Sequence, residues 1–487
     1  MSPPSGLVDR CLLVGFAGTR ADDVLRRRVA DGLAGVVLFG RNIHSAEQVA
    51  ELTATLRAER EDVIVAIDEE GGQVTRLEAD HGSSYPGNAA LGHLDDVSAT
   101  ENTFAAMGAE LAAAGVTLDL APVADVNVDP ANPVIGVRSF GADPVLVARH
   151  VAASVRGLHR AGVGACAKHF PGHGDTSVDS HVDLPVVRHD LDRLRAVELA
   201  PFRAAIAAGV DAIMTAHVVF PALDDRPATV SRRILVDLLR REQGFTGAVI
   251  TDALEMQAVA DTMGVADGAV ASLLAGADLL CTGMHERADT QAREGLLAAL
   301  QDGRLPLDRL EQAAGRASAL AAATGRLRGS ADPGARPDRE LGRRIAEEAL
   351  VAHDPSGVLP LSGGVPTVVE IETQRSAGVG GGAARVCGAV AAIRTGAQGH
   401  VVRRGEPLPA IGPGPLLVAC RDLVREPWQL DVVSALTAGR RDAAVLLTGL
   451  ADDADELPAG TTSVCCHGAG RAGVEAAVAA VLGSRPR

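Results

Sequence analysis

The sequence predicts an α/β fold: a (β/α)8 TIM-type barrel followed by a smaller αβα sandwich. Over the first two thirds of the chain, short apolar runs alternate with longer amphipathic stretches, the pattern of strands feeding crossover helices. The alternation repeats eight times before a stretch rich in glycine, proline and charge at 328–340, which has the composition of a linker. A briefer alternation then resumes. The expected organisation is a barrel domain over 1–327, a linker over 328–340 and a sandwich domain over 341–487.

The apolar runs at 12–16, 35–39, 63–67, 116–120, 164–168, 212–216, 248–251 and 277–281 are the expected barrel strands. Helices are expected at 22–31, 46–60, 101–114, 144–160, 191–208, 232–243, 257–275 and 286–302, several followed by the glycine that ends a helix without a Cβ penalty. The barrel segment exceeds the ~250 residues usual for this fold, and its surplus falls in loops after strands three, four and five. An open, doubly wound sheet is the competing arrangement. Beyond the linker the pattern reads as a helix at 340–352, strands at 367–371, 416–420 and 444–447, and a closing helix at 474–482. The glycine-rich stretch Gly378-Val379-Gly380-Gly381-Gly382-Ala383 lacks the GxGxxG spacing of a dinucleotide loop and reads as a turn.

With 47% hydrophobic and 22% charged residues in 487, the chain can bury a large core, which excludes wholesale disorder. A net charge of −16 without a basic run argues against nucleic-acid binding, and 2% aromatic content removes the stacking platforms of single-strand binders. The amino terminus lacks a basic segment followed by an apolar one, and no uninterrupted apolar run reaches ~18 residues, so a cytoplasmic protein with no membrane partner is expected. Seven scattered cysteines, including the adjacent Cys465-Cys466, show no CxxC spacing and read as reduced structural thiols.

Chemistry in such a barrel belongs just past the carboxyl ends of its strands. Three segments there are rich in polar groups: Ile67-Asp68-Glu69-Glu70-Gly71-Gly72-Gln73-Val74-Thr75-Arg76, Lys168-His169-Phe170-Pro171-Gly172-His173-Gly174-Asp175 with Asp179-Ser180-His181, and Thr251-Asp252-Ala253-Leu254-Glu255-Met256. The middle one packs three histidines, a lysine and two aspartates into fourteen residues, and its Pro-Gly and Gly steps forbid a continuous helix. Asp179 and His181, two apart, face the same way in an extended stretch, where the carboxylate can orient the imidazole and favour its protonated form. A metal site from His169, His173 and His181 is the alternative, although the helical His-x3-His arrangement is absent. Asp252 reads either as a helix N-cap or as a nucleophilic carboxylate at a barrel mouth. Asp68 and Arg76 bracket a Gly-Gly turn and read as ligand contacts or as a surface ion pair, and Arg138 in Gly136-Val137-Arg138-Ser139-Phe140 is equally ambiguous.

Taken together, Lys168-His169-Phe170-Pro171-Gly172-His173-Gly174 followed by Asp179-Ser180-His181 resembles the signature of the glycoside hydrolase family 3 β-N-acetylglucosaminidases. The segments around Asp68, Arg138 and Asp252 resemble further blocks of that family in the same order. The resemblance spans roughly residues 7–327. It implies that Asp252 is the nucleophile, that His181 is the general acid/base with Asp179 as its partner, and that Asp68, Arg76, Arg138, Lys168 and His169 contact the sugar. It further implies removal of terminal N-acetylglucosamine with retention of configuration, in peptidoglycan or chitin-fragment turnover, with no cofactor and no metal. Because a neutral imidazole does not repel an anionic acceptor, inorganic phosphate is an alternative to water, which would make the enzyme a phosphorylase releasing N-acetylglucosamine 1-phosphate. An inactive sugar-binding barrel is the reading from a different class. The region 345–361 resembles the opening of the family's second domain.

Overall fold

The computed structural model describes residues 4–176, 184–283, 287–373 and 383–483. Asp179 and His181, and the glycines from 378 to 382, lie outside the described residues. The chain divides into two compact units. One comprises Met1–Glu69, Val97–Val126 and Ala142–Asp338, and the other Glu70–Asp96, Asn127–Gly141 and Arg339–Arg487. Two segments from within the expected barrel stretch therefore group with the second unit.

The first unit is built on eight parallel strands. They are β1 (Leu12–Val14), β2 (Gly35–Leu38), β3 (Ile64–Ile67), β4 (Leu118–Asp119), β5 (Gly164–Phe170), β6 (Ala212–Thr215) and, after a hairpin of β7 (Val219–Phe220) and β8 (Asp224–Pro227), β9 (Ala248–Thr251) and β10 (Leu280–Thr282). Their order is β10-β1-β2-β3-β4-β5-β6-β9. The ends of that row meet through an Ile250–Leu279 bridge, where Leu279 donates to the Val249 carbonyl at 3.1 Å and Thr251 to the Leu279 carbonyl at 2.9 Å. The sheet thus closes as the expected TIM-type barrel.

The strands are apolar throughout because a parallel barrel is covered on both faces. Residues two apart, such as Ile64 and Ala66, Ala212 and Met214, or Ala248 and Ile250, share one cluster with Leu13, Val37, Leu118 and Cys166. Contributions from all eight strands at period two mark the barrel interior. Ala317, Leu320 and Ala321 of the helix Leu307–Gly329 pack against that cluster. Around the barrel, several helices are capped by side chains at their starts and by glycine at their ends. Asp22, Ser45, Asp143 and Asp190 each accept a backbone N–H of the first helical turn, and Gly32, at φ 118°, ends the helix Asp23–Asp31.

Some elements differ from expectation. The helix expected at 191–208 is two, Leu191–Ala196 and Ala200–Ala207, because Pro201 suits the first turn of a new helix and not the interior of a longer one. The helix Gln257–Ala275 is interrupted at Gly264, whose φ of 77° and ψ of 159° only glycine adopts readily. All seven cysteines are free thiols, Cys387 half-buried and the rest buried.

The second unit carries a six-stranded sheet. Its strands are β11 (Val351–His353), β12 (Thr367–Ile371), β13 (Gln398–Val402), β14 (Leu416–Cys420), β15 (Ala443–Leu447) and β16 (Ser463–Cys465), in the order β11-β16-β15-β14-β12-β13. All pairs are parallel except β11 with β16. One face, through Val368, Leu417, Leu446 and Val464, packs on Val386 and Val390 and on Val474, Val478 and Val481. The other, through Val369, Val418, Val445 and Cys465, packs on Val433 and Leu436. Helices on both faces make the expected αβα sandwich. The helix expected at 340–352 ends at Glu348, and its last residues become the edge strand β11, because pairing with β16 satisfies their backbone groups. Among the described residues no helix is long and apolar enough to cross a membrane.

Barrel closure depends on a buried charge. Asp278, fully buried just before β10, accepts the Val249 N–H at 3.0 Å and ion-pairs with Arg240, Arg309 and Arg316. Removing one partner of such a network strands the others in a poorly solvating environment. Asp278→Ala is expected to lower unfolding stability by about 3–5 kcal/mol in urea titration, and a loss below about 1 kcal/mol would show that the arginines find solvent instead.

Candidate active site

Parallel strands bring their carboxyl ends to one rim, so Asp68 after β3, Lys168 and His169 within β5, and Asp252 after β9 emerge on the same side of the barrel. The Lys168 ammonium, 2% exposed, donates to Asp68 Oδ1 at 2.7 Å. A lysine buried to that extent requires a carboxylate partner. Asp252 Oδ1 accepts the N–H of Ala253 at 2.8 Å, which fixes the carboxylate at the strand end. It is not the helix N-cap, because the following helix begins at Gln257 with Met256 as its cap. His217, buried after β6, donates from Nε2 to the Ala253 carbonyl at 3.0 Å and so braces the residue next to Asp252.

Asp125 is not among the residues the sequence singles out, yet it organises the histidine segment. Fully buried, it places Oδ2 2.8 Å from His169 Nδ1, while Oδ1 accepts the backbone N–H groups of His169 at 3.2 Å and His173 at 2.7 Å. Its only sequence signal is a carboxylate following the apolar fourth strand. His173 Nδ1 lies 2.8 Å from the Thr176 hydroxyl. Burial first, and then the neighbouring His169, push the His173 imidazole down to about 4, so it is neutral at physiological pH. Asp119, the last residue of β4 and fully buried, accepts the Glu69 N–H at 3.0 Å. Desolvation raises its carboxyl well above the usual range.

The catalytic pair expected at Asp179 and His181 lies outside the described residues. On either side of it in sequence, Asp175 pairs with His189, and Arg193 pairs with the buried Glu198 at 2.9 Å. Ligand atoms of Asp175, His189 and Glu198 lie within 4.8 Å of one another. Within this trio Asp175 and His189 are hydrogen-bonded to each other, while Glu198 accepts from Arg193. His169 and His173, offered as ligands in the alternative metal reading, instead direct Nδ1 to Asp125 and Thr176, with ring centroids 5.9 Å apart in an edge-on arrangement.

Arg76 and Arg138 belong to the second unit. Glu70 N–H bonds to the Val74 carbonyl at 3.0 Å across the Gly-Gly turn, in which Gly71 and Gly72 have φ of 79° and 59°. The Glu70 carboxylate receives Arg138 as a fork, Nε at 2.9 Å and Nη2 at 2.8 Å, both side chains being buried. Arg138 Nη1 also donates to the Val134 carbonyl at 3.2 Å. The fork therefore has a fixed plane, which an arginine needs to recognise a ligand directionally. Arg76 follows the fully buried Thr75 and is 9% exposed.

Residues 13–320 match the glycosyl hydrolase family 3 N terminal domain, and the chain belongs to that family. It is 38% identical over 305 residues to Beta-hexosaminidase A of Pseudoalteromonas piscicida, covering 58% of this chain and 51% of that protein. The chain thus spans about half the length of that relative. It is 41% identical over 277 residues to Beta-hexosaminidase of Stenotrophomonas maltophilia (strain K279a), covering 55% of this chain and 82% of that protein. A solved glycoside hydrolase family 3 beta-N-acetylglucosaminidase from Paenibacillus sp. str. FPU-7 superposes with a TM-score of 0.86 at 33% identity, over 99% of this chain and 97% of that one.

The His173 shift makes a pH prediction. The unfolded chain takes up this proton near 6.5 and the folded protein only near 4, so the contribution to stability is complete above pH 6.5 and is lost as pH falls towards 4. The urea midpoint is expected to drop between about pH 7.5 and about pH 5, and His173→Gln to flatten that drop. An identical pH slope in the variant would show that His173 is already protonated when folded.

Proposed function

We propose that the chain is a retaining β-N-acetylhexosaminidase that removes terminal β-linked N-acetylglucosamine from fragments of peptidoglycan or chitin. The observation that carries this reading is the coincidence, at one rim of a family 3 barrel, of the strand-end carboxylate Asp252 with the buried Lys168–Asp68 pair and the Asp125-anchored His169. The relatives named above as beta-hexosaminidases, and the FPU-7 beta-N-acetylglucosaminidase, support N-acetylglucosamine as the sugar.

The proposed reaction has two steps. Asp252 attacks the anomeric carbon while His181, oriented by Asp179, protonates the departing glycosidic oxygen, leaving a glycosyl–aspartate ester. Water, deprotonated by the now neutral His181, then displaces Asp252 from the opposite face, and two inversions give net retention. Asp68 accepts hydrogen bonds from sugar hydroxyls, while Lys168, His169, Arg76 and Arg138 donate hydrogen bonds to sugar oxygens.

Asp252→Ala and His181→Ala are each expected to lower kcat/KM for p-nitrophenyl N-acetyl-β-glucosaminide by about 10³-fold or more. Activity within about twofold of wild type would overturn the assignment of roles. With millimolar phosphate present, the expected product is free N-acetylglucosamine at an unchanged rate. Accumulation of N-acetylglucosamine 1-phosphate with phosphate-dependent turnover would make the enzyme a phosphorylase instead.

A further inference from the structure

The second unit contains both the C-terminal sandwich and the two segments that carry Arg76 and Arg138. The start of the helix Arg471–Leu482 touches the first of these segments at three points. A Cβ built on Gly470 would stand 2.6 Å from Gly72 Cα and 2.8 Å from the Gly72 carbonyl oxygen, contacts with backbone that cannot yield. Gly470 has φ −70° and ψ 149°, angles open to any residue, so it is the close approach to Gly72 that demands glycine. Arg471 donates from Nε to the Gly82 carbonyl at 3.0 Å and from Nη2 to Glu78 Oε1 at 2.6 Å and to the Ser84 hydroxyl. The Ala472 N–H reaches the Ser83 carbonyl at 3.1 Å.

The Glu78 carboxylate organises this segment. It accepts the Ser84 N–H at 2.6 Å and hydroxyl at 2.8 Å, while its own N–H is held by Thr75 Oγ1 at 3.1 Å, one residue before Arg76. Gly72 N–H donates to the Tyr85 carbonyl at 3.0 Å, which ties the Gly-Gly turn to the far end of the same loop. Glu70, before that turn, holds the Arg138 fork, and Asn88 Nδ2 donates to the Arg138 carbonyl at 2.7 Å. A continuous set of hydrogen bonds and backbone contacts therefore runs from Gly470–Arg471 to both arginines.

We propose that Gly470 and Arg471 are positioning residues for saccharide binding: they hold the loops bearing Arg76 and Arg138 in their binding geometry and so set substrate affinity rather than the chemical step. The proposal rests on the reading of Arg76 as a sugar contact. Small misplacement of a binding group costs far more than the contact that holds it, because hydrogen bonds to a sugar are directional.

The test is steady-state kinetics on p-nitrophenyl N-acetyl-β-glucosaminide with full-length Gly470→Ala, Arg471→Ala, Arg471→Lys and Arg76→Ala, each checked for folding by circular dichroism and thermal melting. Gly470→Ala and Arg471→Ala are expected to raise KM about tenfold with kcat within about twofold, and Arg471→Lys to recover part of the loss. If Arg471→Ala does not fold, Gly470→Ala and Arg471→Lys carry the comparison. An unchanged KM in folded variants, while Arg76→Ala raises it, overturns the positioning role and leaves the sugar-binding reading standing, as does a fall in kcat at constant KM. An unchanged KM in Arg76→Ala overturns that reading, and the positioning role with it.

Discussion

Closure of eight parallel strands is the constraint on which the rest depends. Because every strand runs the same way, every carboxyl end opens at one rim, and groups remote in sequence must meet there: Lys168 and Asp68 are 100 residues apart, and His217 and Ala253 are 36 apart. The last joint of the barrel, β9 to β10, has little regular pairing. It relies on the Ile250–Leu279 bridge and on a buried aspartate shared by three arginines. A charged network at a seam is costly to desolvate, but it has one satisfactory arrangement, and so it specifies how the ends of the row join.

The rim sets strongly charged groups in surroundings that withdraw water, and it stays stable by limiting how many charges are present. Lys168 is paired with Asp68, burial pushes the Asp119 carboxyl well above the usual range, and burial drives His173 to its neutral form. Asp125 then serves several donors at once, drawing in the backbone of both His169 and His173. A carboxylate holding two main-chain N–H groups fixes the path of the chain more firmly than a side-chain contact alone would, since backbone at those points has no freedom to swing. In the second unit the Glu70–Arg138 fork has the same character: a buried pair whose planarity specifies one orientation.

Most barrel strands were legible because a strand covered on both faces leaves a continuous apolar run. Ala248–Thr251 coincides with its expected span, as do the helices Pro144–Arg160 and Gln257–Ala275. Legibility failed at the exposed edges of the second sheet, and also at the short buried strand Ser463–Cys465. The edge strand Gln398–Val402 is largely exposed and polar enough to look like a loop, and Val351–His353 is too short and too exposed to leave a pattern. The proposed site residues Asp68, Lys168, His169 and Asp252 were visible as dense polar clusters at strand ends. Asp125 and His217 were not, because a single aspartate or histidine has no local signature of the partner that gives it a role.

The sequence by itself determined the fold class and the family, and it pointed to the segments proposed to carry chemistry. Hydrophobic period, capping residues and the Lys168-to-His181 motif are all local, and local patterns survive without the folded chain. Only the tertiary structure decided which polar groups are paired, which are neutral, and with which unit each loop travels. Arg471 meets Gly82 across 389 positions, and Arg425 meets the Pro133 carbonyl across 292. No propensity or spacing encodes contacts at that range. They follow from the shape of the packed units, and a group's protonation follows from the desolvation that the packing imposes.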